Sequence, residues 1–226
     1  MWGEPFDHAA FIERLASGLR AVTRDWPPDR HFVEEGVTLK AISDKWIANL
    51  TPPVGAFKQA HRAFFEKWFA EPAELFGAKR WGLKEVRLSA GHASYLKWLF
   101  PTAKFLLIYR DIFNSYRSCK GEEWYMVWPH YRVNNIYAFA HHWRYLLEGF
   151  LEQRETLDAM LIRYEDLVDG TLSIPTISEY LGTAAFDEAV LGKRIGARGK
   201  DKRLTRWERW VLQGICGKLR EAVGYR

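Results

Sequence analysis

Apolar and polar positions along the chain change period several times, and each change predicts an element. Between residues 8 and about 24, Phe11, Leu15, Leu19 and Val22 recur at helical spacing until Pro27-Pro28 ends the pattern. The segment from Lys45 closes on turn residues at Pro53. Helical spacing then returns over Gly55 to Trp68, carried by Phe57, Phe64, Phe65 and Trp68. WGLKEV, from Trp81, is short, apolar and glycine-flanked, which predicts a strand. A helix is expected over His92 to Leu99, stopping before Pro101. KFLLIY, from Lys104, is apolar throughout and predicts a strand buried on both faces. A long helix fits Val133 to roughly Arg154, and AMLIRY, from Ala159, reads as a third strand. Ser173 suits the cap of a helix that runs to Leu181 and stops at Gly182. Leu204 to Val223 forms a last amphipathic pattern, with Thr205 and Glu208 spaced as a capping box.

Strands alternating with helices predict an α/β fold, a parallel sheet flanked by helical crossovers. No repeat, low-complexity tract or linker interrupts the pattern, so residues 1–226 are expected to form a single domain. Hydrophobic residues make up 48% of the chain and aromatics 15%, enough for a sizeable core. Charged residues reach 27%, with Lys and Arg spread along the chain rather than striped; this argues against a nucleic-acid module. The net charge of +5 favours an acidic ligand only mildly. Cys119 and Cys216 cannot build a disulfide framework and lack metal-ligand spacing. With no apolar leader in MWGEPFDHAAF and no apolar run of roughly 20 residues, the expectation is a cytoplasmic protein without a membrane span.

The chemistry concentrates in KFLLIYRDIFNSYRS, residues 104–118. Ligands of open parallel sheets bind beyond the carboxyl ends of the strands, and Arg110 stands at such an end. Ser115 and Ser118 follow near the start of the next helix, where free N–H groups and the dipole favour an anion. Arg110 therefore either grips an anionic group such as phosphate or pairs with Asp111 or Glu165. Lys84, placed within an apolar strand, either serves chemistry, pairs with Glu85, or faces solvent at a sheet edge.

Taken in order, WGEP near the start, Lys84 in WGLKEV, LFPTAKFLLIYRD and LIRYEDLV resemble the 3′-phosphoadenylyl sulfate (PAPS) dependent sulfotransferases. The likeness is strongest to their bacterial and tyrosylprotein-type branch, and it covers Met1 to Leu181. It implies a P-loop nucleotide-kinase-like α/β architecture and transfer of a sulfuryl group from PAPS to a hydroxyl acceptor such as a sugar or phenol. The product would be adenosine 3′,5′-bisphosphate, and no metal is implied. By the same resemblance Arg110 and Ser118, eight residues apart, bind the 3′-phosphate, and Tyr164 approaches the adenine. Lys84 stabilises the bridging oxygen or the transferring group, and Glu4 in WGEP is the matching carboxylate base. Arg198 in GARGKDKR either reaches the 3′-phosphate or sits on a solvated loop. The aromatic run EEWYMVWPHYR, from Glu122, either lines an acceptor pocket or packs beneath a loop. The family's phosphosulfate loop, a Pro-(Lys/Arg)-Ser-Gly-(Thr/Ser)-Thr type turn, has no match in these residues. The expectation is a chain truncated at its N-terminus, possible association of copies through an open sheet edge, or a loop supplied by a partner. The alternative is a non-catalytic nucleotide- or anion-binding domain.

Overall fold

Parallel pairing of the two most apolar short segments organises the second half of the chain. The computed structural model describes residues 10–17, 36–38, 40, 52–122, 133–184 and 202–225. The chain divides into two units, Met1–Ala103 and Lys104–Arg226. In the second unit, β1 (Phe105–Tyr109) pairs in parallel with β2 (Ala159–Arg163), in register from Phe105↔Ala159 to Tyr109↔Arg163. The architecture is thus mixed α/β, mostly helical, with a two-stranded parallel sheet among the described residues.

Helices α5 (Ile112–Glu122) and α6 (Ile136–Gln153) connect the two strands. Asn135 sets the start of α6, its side chain accepting the Ala138 N–H at 2.9 Å, three residues later than the apolar pattern suggests. After β2 come α7 (Tyr164–Val168), α8 (Ile174–Leu181) and α9 (Arg206–Ala222). Ser173 occupies the N-cap position of α8, but its hydroxyl bonds Thr176 rather than the backbone. Gly182 ends α8 at φ 60°, a left-handed conformation that costs glycine little. The predicted capping box opens α9: Glu208 N–H donates to Thr205 Oγ1 at 3.1 Å, and Thr205 N–H to Glu208 Oε2 at 2.7 Å. Helices α5, α6 and α9 bury Ile112, Ala140, Trp143, Leu147, Leu212 and Cys216 against one another.

The expectation of a strand buried on both faces fails at Ile108. Leu107 is 7% exposed, but Ile108 is 50% exposed; on its face of β1, Leu106 still packs on Ile162, Ile174 and Ile177, so among the described residues that face is covered only in part. An apolar run reports that a segment is able to be buried, whereas the neighbouring elements decide which positions are.

In the first unit, residues 10–17 are helical (α1), followed by α2 (Val54–Phe65), α3 (Glu71–Leu75) and α4 (Ala90–Leu99). A π-helical segment, Glu66–Ala70, joins α2 to α3 directly. Pro72 explains it. Proline has no N–H to give residue 68, and its ring crowds that carbonyl, so the helix widens by one turn instead of breaking. Phe65, Phe69, Tyr95 and Leu99 form the core here with Ile12 and Ala16. The predicted inner face of α1 is therefore turned: Ile12 and Ala16 are buried, and Phe11 is 43% exposed with its ring edge against Trp68.

WGLKEV is not a strand. Leu83 makes a single bridge and the residues around it are irregular. Glu85 folds back to accept the Arg87 N–H at 3.0 Å and Arg87 Nη1 at 2.9 and 3.2 Å. That local closure takes the place of a ladder, while Trp81 and Leu83 pack on the aromatic core.

Candidate functional site

Because Tyr109 and Arg163 are register partners, Arg110 and Tyr164 are the first residues beyond the carboxyl ends of the two strands. There the Arg110 guanidinium carbon lies 4.8 Å from the centroid of the Tyr164 ring, within cation–π range. The Arg110 carbonyl is held from two directions. Trp143 Nε1–H of α6 donates to it at 3.0 Å, and Ser115 Oγ of α5 reaches it at 3.5 Å. The main chain that carries the guanidinium is fixed before any ligand arrives.

The acids around this edge are engaged elsewhere. Asp111 stands at the head of α5, where Oδ1 accepts the Phe113 N–H at 2.7 Å. Its Oδ2 accepts Arg220 Nε of α9 at 2.8 Å, with Nη2 at the same distance. Glu165 accepts the Asp111 N–H at 3.4 Å through Oε1 and the Tyr225 hydroxyl through Oε2. Burial, then that hydrogen bond, pushes the Tyr225 phenol upward, so it stays a donor. Asp166 pairs with Arg163, whose Nη1 also reaches the Gly224 carbonyl at 3.3 Å. Gly224 adopts φ 88°, which turns the chain off α9 and delivers Tyr225 to this edge.

Arg110 is what this accounting leaves. Neither Asp111 nor Glu165 pairs with it, and its buried Nε has no hydrogen-bond partner among the described residues. A buried N–H without an acceptor costs on the order of 1–3 kcal/mol. A permanent cation with an unused donor, beside an aromatic face, is chemically suited to an anion joined to a flat ring system.

The other predicted residues are distributed differently. Ser118 is exposed on the second turn of α5. The head of α5 is capped by the protein's own carboxylate, so it is less open to an anion than the serine spacing suggests. Lys84 belongs to the first unit, exposed on the irregular segment rather than held in a strand, and Glu85 takes Arg87 as its ion-pair partner. Glu4, Arg198 and the aromatic run beyond residue 122 lie outside the described residues.

A buried polar chain in the first unit has no counterpart in the sequence reading. Ser89 N–H donates to His92 Nδ1 at 3.1 Å, and Ser89 Oγ lies 2.9 Å from the same nitrogen. Nδ1 is thus an acceptor. The ring is neutral, and Nε2–H donates to Glu13, whose other oxygen accepts from Ser17. The one signal available in sequence was Ser89 three residues before a histidine at a helix start. Nothing marked Glu13 as its partner, and nothing marked Trp143, Arg220 or Tyr225 as neighbours of Arg110.

A family model described as Sulfotransferase family matches residues 8–188. No curated protein and no solved structure gives a significant match. Among the described residues, no helix is long and apolar enough to cross a membrane, and no group of three or more His, Cys, Asp or Glu is placed to hold a metal ion.

Proposed function

The chain belongs to the sulfotransferase family, and from that premise we propose that it moves a sulfuryl group from PAPS to a hydroxyl acceptor such as a sugar or phenol. The observation that carries this reading is Arg110, whose buried Nε has no partner among the described residues, at the carboxyl edge of parallel strands and set against the Tyr164 ring. PAPS, when bound, supplies an activated sulfuryl group on a nucleotide that also bears a 3′-phosphate and an adenine. Arg110 fits the phosphate through its charge and its unused Nε–H; Tyr164 offers the adenine a face, and Ser118 adds a hydroxyl.

Sulfuryl transfer, like phosphoryl transfer, asks for positioning and charge stabilisation more than covalent chemistry. Lys84 is assigned to developing charge and Glu4 to the acceptor's proton, both by resemblance to the family. Arg198 is assigned as a further cation for the 3′-phosphate. Placement in the bacterial and tyrosylprotein-type branch rests on LFPTAKFLLIYRD with Lys84 ahead of it.

A second reading is a nucleotide- or anion-binding domain without transfer. The exposure of Lys84 on an irregular segment favours it, because a solvated ammonium contributes less to a transition state than a desolvated one. One pair of measurements separates the two. Calorimetry with adenosine 3′,5′-bisphosphate reports the grip, and donor consumption with a panel of phenols and sugars reports transfer. Binding with turnover supports the enzyme, binding alone supports the second reading, and neither would overturn both.

A further inference from the structure

Arg220 and Tyr225 lie beyond residues 8–188, which the family model matches, yet both reach the edge that carries Arg110. Among the described residues, three carboxylates and three guanidiniums meet there, and the structure sorts them. Asp166 takes Arg163, Asp111 takes Arg220, and Glu165 is held by an amide and a phenol. The residue next to Arg110 in sequence is thus an acid whose charge is matched from another helix. The Asp111–Arg220 pair is well shielded, its side chains being 8% and 12% exposed, so bulk water does little of that neutralising.

We propose that Arg220 is a positioning residue of the anion site: by neutralising and holding Asp111, it leaves the Arg110 guanidinium to an anionic ligand. The proposal rests on the reading that Arg110 binds the phosphate of a nucleotide. Without Arg220, a carboxylate one residue away both repels that phosphate and competes for the guanidinium. Two unit charges in a partly shielded site interact strongly enough to change affinity about tenfold. Tyr225 serves the same end, since its hydroxyl occupies the Glu165 oxygen that the Asp111 amide does not use.

The test uses the 226-residue chain and adenosine 3′,5′-bisphosphate as the calorimetric probe, at two salt concentrations. Arg220→Gln is expected to weaken binding about tenfold, and Arg220→Lys to restore most of the loss. Adding Asp111→Asn to Arg220→Gln is expected to recover affinity, which repair of a merely structural defect would not do. Asp111→Asn alone keeps a helix-capping side chain and removes the negative charge beside Arg110, so it is expected to bind more tightly than wild type, with a steeper salt dependence. That variant decides the matter if Arg220→Gln does not fold: unchanged or weaker binding by Asp111→Asn overturns the proposal. Equal affinity of wild type and Arg220→Gln, or a double variant no better than Arg220→Gln, also overturns it. Arg110→Ala separates this failure from that of the underlying reading. If Arg110→Ala binds like wild type, the phosphate assignment fails; if it loses binding while Arg220→Gln keeps it, only the role of Arg220 fails.

Discussion

The guanidinium of Arg110 lies 4.8 Å from the centre of the Tyr164 ring, and each residue is the first beyond its strand. If the edge takes a nucleotide, as proposed, its affinity rests on two separable contributions. Arg110→Ala is expected to lose about 1.5–3 kcal/mol of binding to adenosine 3′,5′-bisphosphate, as for a hydrogen bond to a charged group. Tyr164→Phe keeps the ring and should bind nearly as wild type, whereas Tyr164→Ala should lose about 0.5–1 kcal/mol. Calorimetry on the three variants checks this, and equal affinity throughout would sink the assignment.

Ser118 is exposed on α5, so its hydroxyl can be removed with little effect on packing. Ser118→Ala is expected to cost about 1 kcal/mol in nucleotide binding, as for a neutral hydrogen bond. Alanine is the better helix former, so the melting temperature should hold or rise slightly. A variant that binds as wild type would remove Ser118 from the site.

Lys84 also sits at an exposed position, and Lys84→Ala should leave thermal stability within about 0.5 kcal/mol of wild type. If the chain transfers sulfate, the same change should cut turnover far more than donor affinity, because the charge it meets develops in the transition state. A loss confined to affinity would show that Lys84 binds without catalysing.

Glu13, Ser89 and His92 of the Ser89–His92–Glu13–Ser17 chain are buried, and breaking it should be expensive. His92→Phe leaves the Glu13 carboxylate buried without its imidazole donor and is expected to cost about 1–3 kcal/mol. Converting both partners to apolar side chains, Glu13→Leu with His92→Phe, should recover much of that loss. Urea denaturation measures both, and a double variant as unstable as the single one would argue that packing, not charge, is at issue.

Burial pushes the His142 imidazole down to about 4. The folded state therefore binds fewer protons than the unfolded chain once pH falls below the ordinary value of about 6.5. The stability contribution is complete above about pH 6.5 and is lost as pH falls towards 4, on the order of 3 kcal/mol in all. His142→Leu should flatten this part of the profile. Parallel stability–pH curves for wild type and variant would refute the assignment.

Local rules were legible from sequence, and distant partnerships were not. Thr205 with Glu208, Gly182 after Leu181, and Arg110 at a strand end are all decided within a few residues, and each stands where the pattern puts it. WGLKEV misled because its composition suits a strand while Glu85 finds a nearer partner in Arg87. The burial of Glu13 was invisible because the residue that justifies it, His92, is 79 positions away. Likewise Asp111 and Arg220 each look like ordinary surface charges until a separation of 109 residues is closed. Periodicity identifies a face. It does not identify what the face meets.

The clasp formed by the last turn of α9 and the residues after it also bears on how the second unit folds and opens. Tyr109 with Val223, Asp111 with Arg220 and Arg163 with Gly224 span 114, 109 and 61 residues. Contacts of such separation require loops to close before they repay anything, which makes them late events and folding correspondingly slow. Interactions absent from the transition state govern escape from the native state rather than arrival at it. Loosening the clasp, as in Arg220→Gln or Tyr225→Phe, should accordingly speed unfolding while leaving the folding rate nearly unchanged. The strand ends would thus keep their arrangement over time through the durability of a few contacts made last.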